Sequence, residues 1–140
     1  MESNLNKALK ESLKYFSHKE RLATFKTWIF SKKYPCNVEK MAEAGFIFIG
    51  SKNEPDSVKC FFCNTNLDRW EPNDNPWKEH LRHAPKCSFA KLQQPMDQIT
   101  LREYYILHSQ LCHSVIDAYI EEQRLASGKL FKKLEAKFRK

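Results

Sequence analysis

The sequence predicts an α+β chain: a small domain of three short strands and short helices, stapled by a metal ion, followed by one long C-terminal α-helix. Three observations predict it. Three cysteines and two histidines crowd the stretch from Cys60 to Cys87. Short apolar runs, FIFI and VKCFF, flank the loop GSKNEPDS, as strands flank a turn. After Pro95 there is no further proline and one glycine, Gly128, so nothing breaks a helix from Thr100 onward. With 140 residues, 13% of them aromatic, the chain has enough apolar mass for a packed core but not a large one, and a staple is expected.

Each element has its own signal. Leu5, Leu9, Leu13 and Phe16 recur at helical spacing, which predicts an amphipathic helix over 4–16. Ser17 and Glu20 form a capping-box pattern opening a second helix, with Leu22, Phe25 and Trp28 facing inward. Asn37 caps a third helix, VEKMAEA, and Gly45 stands at the left-handed position after its end. FIFI, VKCFF and LDRW are the three strands. Asn75-Pro76 reads as an N-cap and first-turn pair for the helix PWKEHLRHA, which Pro85 ends. Thr100 and Glu103 repeat the capping-box pattern at the start of the long helix. The resulting organisation is an N-terminal helical extension (1–17), a metal domain (18–90), a linker (91–99) and the helix (100–140).

Cys60 and Cys63 are two residues apart, which puts two sulfurs on one side of a tight bend. His80 follows on the predicted helix, and Cys87 just past its end. Three thiolates and one imidazole make a tetrahedral set suited to one structural zinc ion. The competing readings are free core thiols and a redox Cys-x-x-Cys pair; close spacing in a reducing compartment favours metal. A closed four-ligand set leaves no position for an activated water, which argues against a zinc hydrolase, and the chain is expected not to be an enzyme. Cys36 and Cys112 lie outside the set and read as small, partly buried thiols.

The N-terminus, MESNLNKALKESLKYF, has no apolar signal core, and the longest apolar run, AGFIFI, is too short for a bilayer. A soluble, intracellular chain with no membrane role is expected. The net charge is +7, unevenly placed. KLFKKLEAKFRK holds six bases and one acid, while Glu54 to Glu79 holds six acids and three bases. The tail suits an acidic partner, nucleic acid or microtubule, or it is a solvated helix face.

The segments RLATFKTW, MAEAGF, CFFC, LDRWEPNDNPWKEH and the final Cys87 together resemble the baculoviral inhibitor-of-apoptosis repeat, the BIR domain, over residues 18–90. Framework residues Arg21, Gly45 and Trp70 agree as well as the ligands. One BIR, no RING pattern and a long C-terminal helix, with AEAGFI and NEPD, resemble the survivin-like single-BIR family.

Between the ligands, Leu67, Asp68, Trp70, Glu71 and Asp74 combine a strand edge, an aromatic wall and carboxylates. That suits an extended peptide with a free amino terminus; the plainer reading makes Trp70 core and the acids solvated. The resemblance implies more. Members bind a histone N-terminal tail whose third residue is phosphothreonine. Leu67, Asp68, Trp70 and Asp74 would then hold the first residue and its ammonium, Glu54 would face the basic second residue, and His83 would lie beside the tail. Caspase-inhibiting BIR domains often carry tryptophan where this chain has His83. The phosphate-meeting lysine of the family is Thr65 here, which hydrogen-bonds but does not neutralise, with Arg69 and Lys59 as candidates to compensate. A second function, inhibition of apoptosis by binding free N-termini of death-promoting peptides or restraining caspases, uses the same groove.

The long helix is apolar on more than one stripe, which calls for partner helices or a second copy. The resemblance implies bundling with inner centromere protein and borealin-like helices, with Aurora kinase recruited indirectly, in the chromosomal passenger complex. Met96, Leu101, Tyr104, Tyr105, Leu111, Val115 and Tyr119 are the expected interface, and Met96 to Tyr105 resembles the family's homodimer surface. The family's locations are nucleus, centromere and spindle midzone in mitosis, and cytoplasm.

Overall fold

A computed structural model describes residues 2–139; Met1 and Lys140, the outer ends of the expected extension and tail, lie outside the described residues. Four of the five predicted helix starts carry the anticipated chemistry. Ser17, Asn37, Asn75 and Thr100 each accept a hydrogen bond from the backbone N–H three residues on. They open α2 (His18–Leu22), α3 (Val38–Glu43), α4 (Pro76–His83) and α5 (Leu101–Phe138). Only Thr100 and Glu103 close the reciprocal box. Ser3 caps α1 (Asn4–Lys14), whose Leu5, Leu9 and Leu13 are half-buried along one side.

Helix α2 is shorter than the apolar spacing predicts. It stops at Leu22, where the Thr24 hydroxyl bonds the Arg21 carbonyl at 2.6 Å and accepts the Phe48 N–H at 2.8 Å. Phe25 and Trp28 therefore pack from an irregular segment, edge-on to one another at 5.6 Å, with the Trp28 indole N–H on the Cys36 carbonyl at 2.9 Å.

The sheet is antiparallel in the order β1 (Phe46–Phe48), β2 (Val58–Cys60), β3 (Asn66–Leu67). Phe46 faces Cys60 and Val58 faces Leu67. The third strand is thus Asn66–Leu67, not LDRW: Arg69 has a left-handed φ of 60°, which breaks pairing before Trp70.

Met41, Phe46, Val58, Cys60, His80 and Phe89 are fully buried at the centre. Phe89 stacks on Trp77 at 5.5 Å and meets Phe61 edge-on at 5.0 Å. Phe16 joins this core to the long helix, 5.3 Å from both Phe61 and Tyr104. Helix α5 is about 57 Å long at ~1.5 Å per residue. Its first half packs on α1, burying Leu107 and Leu111; every residue from Glu121 to Arg139 is exposed. The helix runs through Gly128, whose surroundings are open. No helix is long and apolar enough to cross a membrane among the described residues.

Candidate metal centre and peptide groove

The four sequence-predicted ligands converge. Their donor atoms all lie within 4.8 Å of one another, with Cys60 and His80 fully buried and Cys87 nearly so. Cys60 ends β2, and the chain turns at once: Asn64, at φ 61°, bonds back to the Cys60 carbonyl. The N–H groups of Phe62 and Cys63 then point at Cys60 Sγ, at 3.3 and 3.4 Å, and that of Ala90 at Cys87 Sγ at 3.4 Å. His80 Nδ1 donates to the Ala44 carbonyl at 2.8 Å, which fixes the ring and turns Nε2 toward Cys63 Sγ, 3.6 Å away.

Protonation in this cluster is mutually constrained. Burial, then hydrogen bonds and charge from Cys63 and Cys87, push the Cys60 thiol well up. Hydrogen bonds from Cys60 and Cys87 pull Cys63 down despite its burial. Burial lowers His80, but bonds to Cys63 and Cys87 outweigh it and raise the imidazole to about 9. Three thiolates do not coexist here without a cation among them. The donors fit one: zinc–sulfur bonds of ~2.3 Å in a tetrahedron separate sulfurs by roughly 3.8 Å. The arrangement is a Cys3His site able to bind a metal ion.

A second feature lies beside β3, the sheet edge. A groove of about 460 Å³ is lined by Leu67, Asp68, Trp70, Glu71, Asp74 and His83, six of the residues expected there, together with Asn66, Arg69, Glu79 and Arg82. Trp70 serves both readings of the sequence: it is 7% exposed, edge-on to Phe46 at 5.4 Å, and its edge reaches the groove. Its backbone N–H is held by Asp56 at 2.9 Å, and its indole N–H has no partner among the described residues. Asp74 orders the loop by accepting the Glu71 N–H at 2.8 Å. Glu79 pairs with Arg82 and lies 3.6 Å from His83 Nε2.

Two expected groove residues lie elsewhere. Glu54 bonds Ser57 in the β1–β2 loop and is not among the groove lining. Thr65 has its hydroxyl 3.2 Å from Cys63 Sγ and faces a separate cleft with Phe62, Pro85 and His113. Of the two candidate compensators, Arg69 lines the groove and Lys59 does not. Glu79 and Arg82 carry no signal of their own in the sequence beyond lying within about one turn of His83 on α4.

Along α5, Leu101 and Tyr105 are 83% and 70% exposed. Tyr104 meets Phe16, Met96 packs partly on the core, and Val115 and Tyr119 are half-buried. Leu111, expected at a partner surface, is instead 3% exposed inside the chain, because α1 covers that face of the helix.

The pattern of the Inhibitor of Apoptosis domain, BIR, matches residues 21–91, half of the chain. The chain belongs to this family. Relatives named Baculoviral IAP repeat-containing protein 5, the survivin type, bear out the single-BIR resemblance. The mouse protein is 47% identical over 90 residues, covering 64% of each chain. Baculoviral IAP repeat-containing protein 5.1 of Xenopus tropicalis is 36% identical over 121 residues, covering 81% of this chain and 76% of its own length. The 5.2 protein of the same frog is 46% identical over 84 residues, covering 60% of this chain and 54% of its own. The chain thus spans a little under two thirds of the mouse relative's length.

Proposed function

We propose that the chain is a non-enzymatic chromatin-tail reader and scaffold of the chromosomal passenger complex. One structural zinc ion, held by Cys60, Cys63, His80 and Cys87, keeps the BIR folded. All four positions are filled, so the ion activates no water. The groove beside β3 takes the free N-terminus of a histone tail bearing phosphothreonine at its third position. Leu67 and Trp70 receive the first side chain, Asp68 and Asp74 its ammonium, and His83 flanks the third residue. Glu54 and Thr65 act on the part of the tail that extends beyond this lining. The single observation that carries the reading is the open β3 edge next to a groove with four carboxylates and an aromatic edge, the chemistry of amino-terminal capture.

Leu101, Tyr105 and the exposed distal half of α5 bundle with inner centromere protein and borealin-like helices, which bring Aurora kinase. The same surface near Met96 serves a homodimer when those partners are absent. The basic end, Lys129 to Arg139, contacts nucleic acid or the microtubule. The sites of action are nucleus, centromere and spindle midzone in mitosis, and cytoplasm.

Calorimetric titration tests the groove, with peptides beginning Ala-Arg-Thr, phosphorylated and not, against peptides beginning Ala-Val-Pro-Ile. Tighter binding of the phosphorylated tail is expected. Equal affinity for both tail forms refutes phosphate reading. Preference for Ala-Val-Pro-Ile favours the second reading, an apoptosis inhibitor that captures death-promoting peptides or restrains caspases, which the family name supports. Asp74→Ala and His83→Ala should each weaken tail binding, by roughly tenfold for a lost charge-assisted bond, and leave the metal in place.

A further inference from the structure

We propose that Arg21 is the built-in counter-ion of the metal centre, its guanidinium offsetting the negative charge of three thiolates around a divalent cation. The proposal rests on the reading of Cys60, Cys63, His80 and Cys87 as a zinc site. Arg21 is 1% exposed and among the largest fully buried side chains. Taking a lone charge out of water is costly, and buried cations are normally paired. Yet among the described residues Arg21 makes no ion pair with a carboxylate. Its hydrogen bonds go to the carbonyls of Ala42, Tyr15 and Phe16 at 2.7, 2.8 and 3.1 Å. Carbonyls solvate a guanidinium without neutralising it.

The surroundings tie it to the ligands. The guanidinium carbon lies over Phe61 at 5.0 Å and Phe89 at 5.5 Å from the ring centroids. Phe61 directly follows Cys60, and Phe89 stands just after Cys87. From the other side, the end of α3 holds both partners: Ala42 takes Arg21 Nε, and Ala44 takes His80 Nδ1. The guanidinium is thus packed against the residues that follow Cys60 and Cys87 and against the α3 end that also holds His80. Two positive charges on the ion against three thiolates leave one negative charge, which Arg21 cancels. A Cys2His2 centre is neutral and needs no such partner.

The test is a double-mutant cycle in the full chain, with cobalt as the probe. Dissociation constants come from chelator competition, followed by the cobalt–thiolate absorption. Arg21→Gln keeps a donor for the carbonyls and removes the charge; it should weaken cobalt binding by roughly 10- to 100-fold. Arg21→Lys should retain most of the affinity. In the Cys63→His background, where the centre is neutral, Arg21→Gln should cost much less. Effects equal in the two backgrounds within about twofold mean independence and overturn the proposal. If neither Arg21→Gln protein folds with excess cobalt, the residue is needed whatever the centre's charge, and the proposal falls too. Should Cys63→His alone bind no cobalt, Arg21→Lys decides: losing as much affinity as Arg21→Gln overturns the counter-ion role. A wild-type chain that takes up no metal brings down the zinc reading itself, whereas bound metal without coupling brings down only the role of Arg21.

Discussion

Replacing Gly45 by alanine strikes the fold at the point where α3, β1 and the candidate metal ligand His80 meet. Gly45 has φ +94°, and a Cβ built there stands 2.7 and 2.8 Å from two ring carbons of Phe89. That ring has no room to withdraw: it is fully buried, stacked on Trp77 and edge-on to Phe61. A left-handed alanine costs ~1–2 kcal/mol, and forcing a methyl into a packed core costs ~1–3 kcal/mol. The sum, about 2–5 kcal/mol, lowers the melting temperature of a domain this size by something on the order of 10–20 °C. Thermal melts of the metal-loaded protein, followed by circular dichroism, measure it. Phe89→Leu added to Gly45→Ala should recover the crowding part and leave the backbone part, so the two changes partly cancel in a cycle. A drop of less than ~3 °C, or strict additivity with Phe89→Leu, refutes the reasoning.

Stripping the metal should unfold the BIR. Structural zinc supplies on the order of 10–16 kcal/mol, as much as the whole net stability of a small domain, roughly 5–15 kcal/mol. Near-ultraviolet dichroism from the three tryptophans should vanish with chelator, and Cys60→Ser should behave alike; a native spectrum in either case contradicts the ligand assignment. Binding needs deprotonated donors, so protons compete with the ion and acidification should release it, with retention rising as pH rises. Burial, aided by the charges of Asp74 and Asp56, raises the Cys36 thiol to about 12. At pH 8 only about one part in ten thousand is then thiolate, so Cys36 should resist iodoacetamide in the folded chain while the half-buried Cys112 is labelled; mass spectrometry of modified peptides reads this. Leu111→Ala should cost ~2–5 kcal/mol and loosen α5 from α1, seen as faster amide exchange in Leu101–Tyr119.

The metal frame and the caps were legible because each is a local rule: a fixed spacing of donors, or a polar side chain three residues ahead of an N–H it satisfies. Gly45 was legible for the same reason. The third strand was misread since LDRW has strand composition, and only the left-handed Arg69 ends the pairing. Helix α2 was overextended because Leu22, Phe25 and Trp28 keep helical spacing, while tertiary bonds at Thr24 end it. The sequence marks Arg21 as framework but does not show it as a buried cation, since two of its partners, the Ala42 carbonyl and the Phe89 ring, are remote in sequence. The groove's Glu79 and Arg82 look in sequence like ordinary surface charge on a helix. Leu111 reads as partner-facing because the sequence does not reveal that α1 packs against α5.

The bare half of α5 has a geometric consequence. At about 100° per residue, Ile116, Ile120, Leu130, Leu134 and Phe138 fall on the flank opposite Leu107 and Leu111. Some 25 Å of helix, at ~1.5 Å per residue, overhangs the globule beyond Glu121. Tyr119 and Glu122 still border a cleft with Asn64, two residues before β3, and Phe138 lies some 24 Å farther along the helix axis at ~1.5 Å per residue. A contact made near Phe138 is therefore displaced along the helix axis from one made beside Asn64.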